Sequence, residues 1–212
     1  MIHLRRQDFD QLDHLYRINL INSCTGFKSA NLIGTKSNGG TANVAVFSSV
    51  THLGSNPPLL GIVFRPVSDV PRHTYENIKE TGQFTINHIH EGIFEDAHHT
   101  SAKYDRDISE FEVTHLKEEY KNGWHAPFVK NAPIQMALTY CEEYTIRANN
   151  TTHLVAEIKD LFINEELIEN DGFINLTKAK VMAINGLDGY TTPVLQKRLA
   201  YQRPKPLVNG IL

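Results

Sequence analysis

From Ala30 to Ile184 the chain strings together short β-prone runs separated by turn-forming clusters, and nowhere settles into a regular strand–helix alternation. A doubly wound parallel sheet needs a crossover helix after each strand, so the pattern predicts an antiparallel, mainly β fold with a few short helices. Ala30 to Thr35 and Thr41 to Thr51 read as two arms of a hairpin around Asn38-Gly39-Gly40. Gly54 to Pro58 reads as a loop and Leu59 to Phe64 as a buried strand, followed by a second loop from Arg65 to Arg72. His73 to Glu80 carries helix formers and ends at Thr81-Gly82, where glycine suits a C-cap, and Gln83 to His88 alternates again as a strand. Two long runs, Ile134 to Arg147 and His153 to Ile163, flank Ala148-Asn149-Asn150 as a hairpin, and Thr177 to Ile184 is a last strand.

The remaining segments are less regular. Asp8 to Leu20 places Phe9, Leu12, Leu15 and Tyr16 at helix-like spacing, which predicts an N-terminal helix or docked arm over residues 1–24. Glu91 to Lys130 is a polar excursion with a short helix around Phe94 to Ala102, and excursions of that length are commonly functional or interfacial. A barrel domain over residues 25–185 and a proline-bearing tail over 186–212 complete the expected organisation.

A 212-residue chain can bury one sizeable core without disulfides or metals. Its hydrophobic fraction of 41% and net charge of -3 leave no basic surface for nucleic acid. No run reaches the roughly 18 apolar residues of a membrane span, and Met1 to Asp10 has no apolar leader core, so a cytoplasmic protein is expected. Cys24 and Cys141 stand far apart with no CxxC partner. Eleven histidines, among them His88, His90, His98 and His99, lack the Glu-x-x-His or Cys partners of a known metal geometry, so no metal is expected. No GxGxxG or GxxxxGK[ST] occurs either, so a nucleotide is not gripped by those phosphate cradles.

Two segments carry candidate chemistry. Ala45-Val46-Phe47-Ser48-Ser49 concentrates small and hydroxyl side chains at a strand end, where a flat ligand could approach the backbone, or where serines are simply solvated on an edge strand. Arg72-His73-Thr74 sits at the start of a predicted helix, where free amides, the helix dipole and a guanidinium suit a phosphate. An ordinary N-cap beside a surface arginine has the same appearance.

Taken in order, Asn43, Phe47-Ser48, Asn56-Pro57-Pro58, Arg72-His73-Thr74-Tyr75-Glu76-Asn77-Ile78 and Gly82-Gln83-Phe84-Thr85-Ile86-Asn87 resemble the flavin reductase-like, FMN-binding split-barrel family. The likeness runs collinearly over roughly residues 25–185 and includes Ser101-Ala102-Lys103-Tyr104. It departs at Asn56, where aspartate is common, and at His73, which replaces an acidic residue. The resemblance implies a Greek-key split barrel working as a homodimer, with Ala45 to Ser49 beside a flavin ring and Arg72, His73 and Thr74 at its phosphate. Arg65 and Ser101 are weaker carry-overs. FMN is the implied cofactor, FAD being possible, with NADH or NADPH as transient hydride donor. The chemistry would then sit on flavin N5, with no catalytic side chain required. An FMN-binding electron carrier without its own hydride donor is the alternative, and an interaction domain with an empty barrel a third. The pocket's second wall would come from a partner subunit, with Trp124, Phe128, Tyr190 or Tyr201 as candidates.

Overall fold

The computed structural model describes residues 1–67 and 71–204, so the middle of the loop expected between Arg65 and Arg72, and the last residues of the tail, lie outside the described residues. In chain order the elements are α1 (Arg6–Phe9), α2 (His14–Cys24), β1 (Phe27–Ser29), β2 (Asn31–Lys36), β3 (Ala42–Phe47), β4 (Val50–Ser55) and β5 (Pro58–Phe64). There follow α3 (His73–Thr81), β6 (Gln83–His88), α4 (Phe94–His99), α5 (Glu110–Val113), β7 (Glu118–Glu119) and β8 (Phe128–Val129). The long hairpin β9 (Ile134–Ile146) and β10 (Thr151–Ile163) and the short strands β11 (Ala183–Asn185) and β12 (Gly189–Thr191) complete the chain. No described helix is long and apolar enough to cross a membrane.

The main sheet has the order β3-β2-β6-β9-β10-β5-β4, all antiparallel. Its two edge strands, β3 and β4, are consecutive in the chain and joined only by Ser48 and Ser49. Six strand spacings of a flat sheet would part those edges by about 29 Å. The Phe47 to Val50 connection can reach about 10 Å. The sheet must therefore roll up until its edges meet at one end, yet β3 and β4 share no ladder. The result is a barrel with a seam, a split barrel of Greek-key connectivity in which β6 returns to lie beside β2. Side-chain hydrogen bonds from Ser49 Oγ to the Val63 carbonyl (2.8 Å) and from Ser29 Oγ to the Val50 carbonyl (3.2 Å) close the seam's lower end.

Because side chains alternate across a strand, the rolled sheet needs a core on each face. Inside lie Ile33, Ile62, Phe64, Phe84, Ile86, Leu138 and Leu154, plugged by Ile78 of α3. Outside, Leu32, Val44, Ile89, Ala97, Phe111 and Ile184 form a second cluster under the excursion and the C-terminal strands. This double coverage explains why Asn31 to Thr35 of β2 is buried without a break. Contact there is close: a Cβ on Gly34 would lie 2.2 Å from the Pro127 carbonyl oxygen, so only glycine fits beneath the excursion.

Several elements differ from the expectations. The single arm expected over Thr41 to Thr51 breaks at Ser48-Ser49, because there the chain leaves one sheet edge for the other. The loop expected at Gly54 to Pro58 shrinks to a turn at Asn56-Pro57, since β4 pairs with β5 as far as Ser55 opposite Pro58. The N-terminal helix divides in two because the Asp13 carboxylate accepts the Leu15 and Tyr16 amides (2.9 and 3.2 Å) and restarts it. Most of the strand expected over Thr177 to Ile184 is turn, with Lys180 at φ 51° and the Lys178 amide bonded to Asn175 Oδ1. The β11–β12 hairpin spans position 186, where a tail was expected to begin. Gly82 does take the left-handed C-cap conformation, at φ 70°.

Candidate functional site

The first half of the site follows from the seam. The Val44 amide turns away from β2 and donates to Glu110 Oε2 at 3.0 Å. Backbone groups of an antiparallel edge strand alternate in direction, so Val46 presents its N–H and C=O to the same open side. A flat polar-edged molecule can pair there as a short extra strand would. Ala45 and Phe47 face the interior, and Val46 packs on the outer cluster. All five residues from Ala45 to Ser49 are partly exposed, as a lining should be, and Ser48 makes no side-chain hydrogen bond among the described residues. Ser49 is committed to the seam through Val63.

The second half is the start of α3. Arg72 is the N-cap residue but supplies no capping side chain, and the first helical bond is Glu76 N to Arg72 O at 2.9 Å. The amides of the first turn therefore point outward with the positive end of the helix dipole behind them. Arg72 Nε is buried and has no hydrogen-bond partner among the described residues. Leaving such a donor unanswered costs free energy, more for a charged group than a neutral one. Thr74 is 6% exposed, and its hydroxyl accepts from Asn43 Nδ2 at 3.0 Å, which leaves its own proton to donate. His73 is half-buried beside it.

Buried polar contacts lock the two halves together. Asn43 Nδ2 also reaches Thr35 Oγ1 (3.3 Å), which in turn accepts from Asn77 Nδ2 (3.1 Å). On the other side a row of rings runs from Phe47 to Phe64 (5.2 Å) to Tyr75 (5.4 Å) between the seam and α3. The Tyr75 hydroxyl donates to Glu143 (2.9 Å), and burial together with that carboxylate holds its pKa above the ordinary tyrosine range. The arrangement presents a ribbon of free edge at one end and, at the other, an uncapped helix start with a buried guanidinium donor beside it.

Among the described residues no comparable contact draws in Arg65 or Ser101. Arg65 is exposed, directly after the last residue of β5, and Ser101 is exposed in the turn after α4, its amide bonded to the His98 carbonyl at 3.0 Å. The excursion does reach the helix further on, where Arg106 pairs with Glu76 and with Glu80 (3.6 Å). Of the aromatics proposed for a partner's wall, Phe128 is fully buried in its own chain. Trp124 bonds Asp160 and Tyr190 stacks on Phe94, which leaves Tyr201 exposed. His98 and His99 are exposed and face Tyr190 and Tyr104.

Glu110 is the site residue that sequence reading missed. It begins α5 behind Ser109, is 6% exposed, and burial pushes its pKa up against the pull of the Val44 amide. A serine before Glu-Phe signals a capped turn, but nothing local shows that the turn docks on a strand edge 66 residues away.

A family model described as the flavin reductase like domain matches residues 27–183. A curated relative, the uncharacterised protein YwrF of Bacillus subtilis (strain 168), is 32% identical over 103 residues, 49% of this chain, and the chain spans half the length of that relative. A crystal structure of a flavin reductase-type protein with a split barrel domain from Shewanella frigidimarina NCIMB 400 is 44% identical. It covers 95% of this chain and 100% of its own, at a TM-score of 0.91. Component B of nitrilotriacetate monooxygenase from Bacillus cereus has the same fold at 19% identity and a TM-score of 0.81, over 94% of this chain and 98% of that one.

Proposed function

This chain belongs to the flavin reductase-like family, and we propose from that premise that it is a flavin-dependent oxidoreductase. In this reading it binds FMN at the seam and the α3 N-terminus and takes reducing equivalents from NADH or NADPH. The observation that carries the reading is Arg72 Nε, a buried charged donor with no partner among the described residues, beside a helix start with no capping side chain. A phosphate dianion supplies the acceptors that such a cradle lacks.

The bound flavin supplies the redox chemistry, accepting a hydride equivalent and passing electrons on. The chain's own residues bind and orient. Arg72, the Thr74 hydroxyl and the first-turn amides hold the phosphate, with His73 at the rim. Val46 N–H and C=O meet the polar edge of the ring, and Ala45 and Ser48 are small enough to let it approach. Phe47, Phe64 and Tyr75 wall the space between and keep water from the phosphate-to-ring path. With that chemistry supplied by the flavin, no side chain of this protein would be needed as acid or base. The lack of a dinucleotide fingerprint fits a donor that only stacks on the exposed ring face. A second copy of the chain would cover the seam's open side, with α2, none of whose residues is buried, as part of the contact. Closed two-fold pairing is the commonest assembly of soluble chains.

The test is anaerobic mixing of the FMN-loaded protein with NADH and, separately, NADPH. Bleaching of the visible flavin band by at least one donor at a turnover-competent rate is expected. Retention of colour with both would leave a flavin-binding electron carrier in its place.

A further inference from the structure

The α5 docking contact uses an ionisable side chain where its structural role needs only a hydrogen-bond acceptor. Glu110 Oε2 caps the Val44 amide on the free edge of β3, a task that a neutral glutamine oxygen performs as well. Glu110 is 6% exposed, and its carboxyl meets the backbone of Val44, a residue of the outer apolar cluster that also holds its neighbour Phe111. Among the described residues backbone amides, and no cation, favour its ionised form. Burying a carboxyl without a cation is costly and pushes its pKa up, so an ionisable group in place of a neutral acceptor calls for a purpose at this edge. Val46, the next outward-facing position of the same edge, lies about 7 Å further along the strand.

We propose that Glu110 is a positioning residue that tunes the flavin, its carboxylate disfavouring the reduced ring when that ring carries negative charge. The proposal rests on the reading that the ring lies at Val46. Two-electron reduction with uptake of one proton from solvent leaves the ring with one net negative charge, the electrons coming from a nicotinamide or, in the assay, from dithionite. A carboxylate at the ring's polar edge repels that charge and makes the bound flavin a stronger reductant. Oxidised FMN, whose ring is neutral, is indifferent to it.

The experiment measures dissociation constants for oxidised and for dithionite-reduced FMN, anaerobically and in mildly alkaline buffer, which favours the ionised carboxyl. Wild type is compared with Glu110→Gln, which keeps an oxygen for the Val44 amide. The variant is expected to bind oxidised FMN within about twofold of wild type and reduced FMN about tenfold more tightly. For a two-electron couple that shift in ratio is a rise of about 30 mV in the midpoint potential. Glu110→Asp, which retains the charge, should keep the wild-type ratio. Glu110→Ala removes charge and cap together, must move the ratio in the same direction, and serves if the glutamine variant does not fold. An unchanged ratio in the neutral variants, or an equal change in Glu110→Asp, overturns the proposal while leaving flavin binding intact. A wild type that binds FMN in neither state overturns the flavin reading itself, and this proposal with it.

Discussion

Replacing Arg72 by alanine separates a phosphate ligand from a structural arginine. Arg72 Nε is buried without a partner among the described residues, so its removal deletes no hydrogen bond that they make. An unsatisfied buried donor costs about 1–3 kcal/mol, and the variant should therefore melt no lower than wild type when ligand-free. With FMN bound, the same atom contributes a charge-assisted hydrogen bond worth about 1.5–3 kcal/mol, a loss of roughly 10- to 150-fold in affinity. Riboflavin, which has the ring and lacks the phosphate, should bind both proteins alike. Fluorescence titrations with FMN and riboflavin, beside a thermal melt without ligand, give all three quantities. Equal losses for both ligands, or a clear drop in ligand-free stability with FMN affinity unchanged, would refute the assignment of Arg72 to the phosphate.

Other expectations can be checked with the same protein. Ser48→Leu should fill the space at the seam and cost FMN at least about tenfold in affinity while the melt stays within a few degrees, because Ser48 is only half-buried and unbonded; wild-type affinity would move the ring off this strand. His88 shares the inner face with Phe84 and Ile86, and burial lowers its pKa from 6.5 to about 4. The unfolded chain therefore takes up a proton first, and stability should fall by about 3 kcal/mol as pH drops from 6.5 toward 4; urea unfolding should show this limb in wild type and not in His88→Leu. Light scattering on the FMN-bound protein should report about twice the 24.0 kDa chain mass. A monomer that holds FMN tightly would show that one chain builds the pocket alone.

What could be read from the sequence was governed by range. The β2–β3 hairpin, α3 with its Gly82 cap, and β6 are written in local turn chemistry and periodicity, and they stand close to where they were expected. The break at Ser48-Ser49 has no local signal. It exists because β3 and β4 belong to opposite edges of one rolled sheet, a fact set by the ladder order. The helix start at Arg72-His73-Thr74, the proposed phosphate cradle, was legible as a helix start, but its rigidity comes from the buried contacts among Asn43, Thr35, Thr74 and Asn77, which join positions up to 42 apart. Glu110 stayed hidden for the same reason. Among the aromatics, Phe128 was indistinguishable from an interface residue by composition, whereas it is buried within its own chain, edge-on to Phe162 of β10.

The central claim, that the seam and the α3 N-terminus together hold FMN, is tested most directly by equilibrium binding of FMN to the purified chain freed of any ligand. Saturable binding with one FMN per chain is predicted, with a shifted visible spectrum and weakening by inorganic phosphate in wild type but not in Arg72→Ala. A folded chain that fails to bind FMN, or binds it with no dependence on Arg72 or on competing phosphate, would contradict the account.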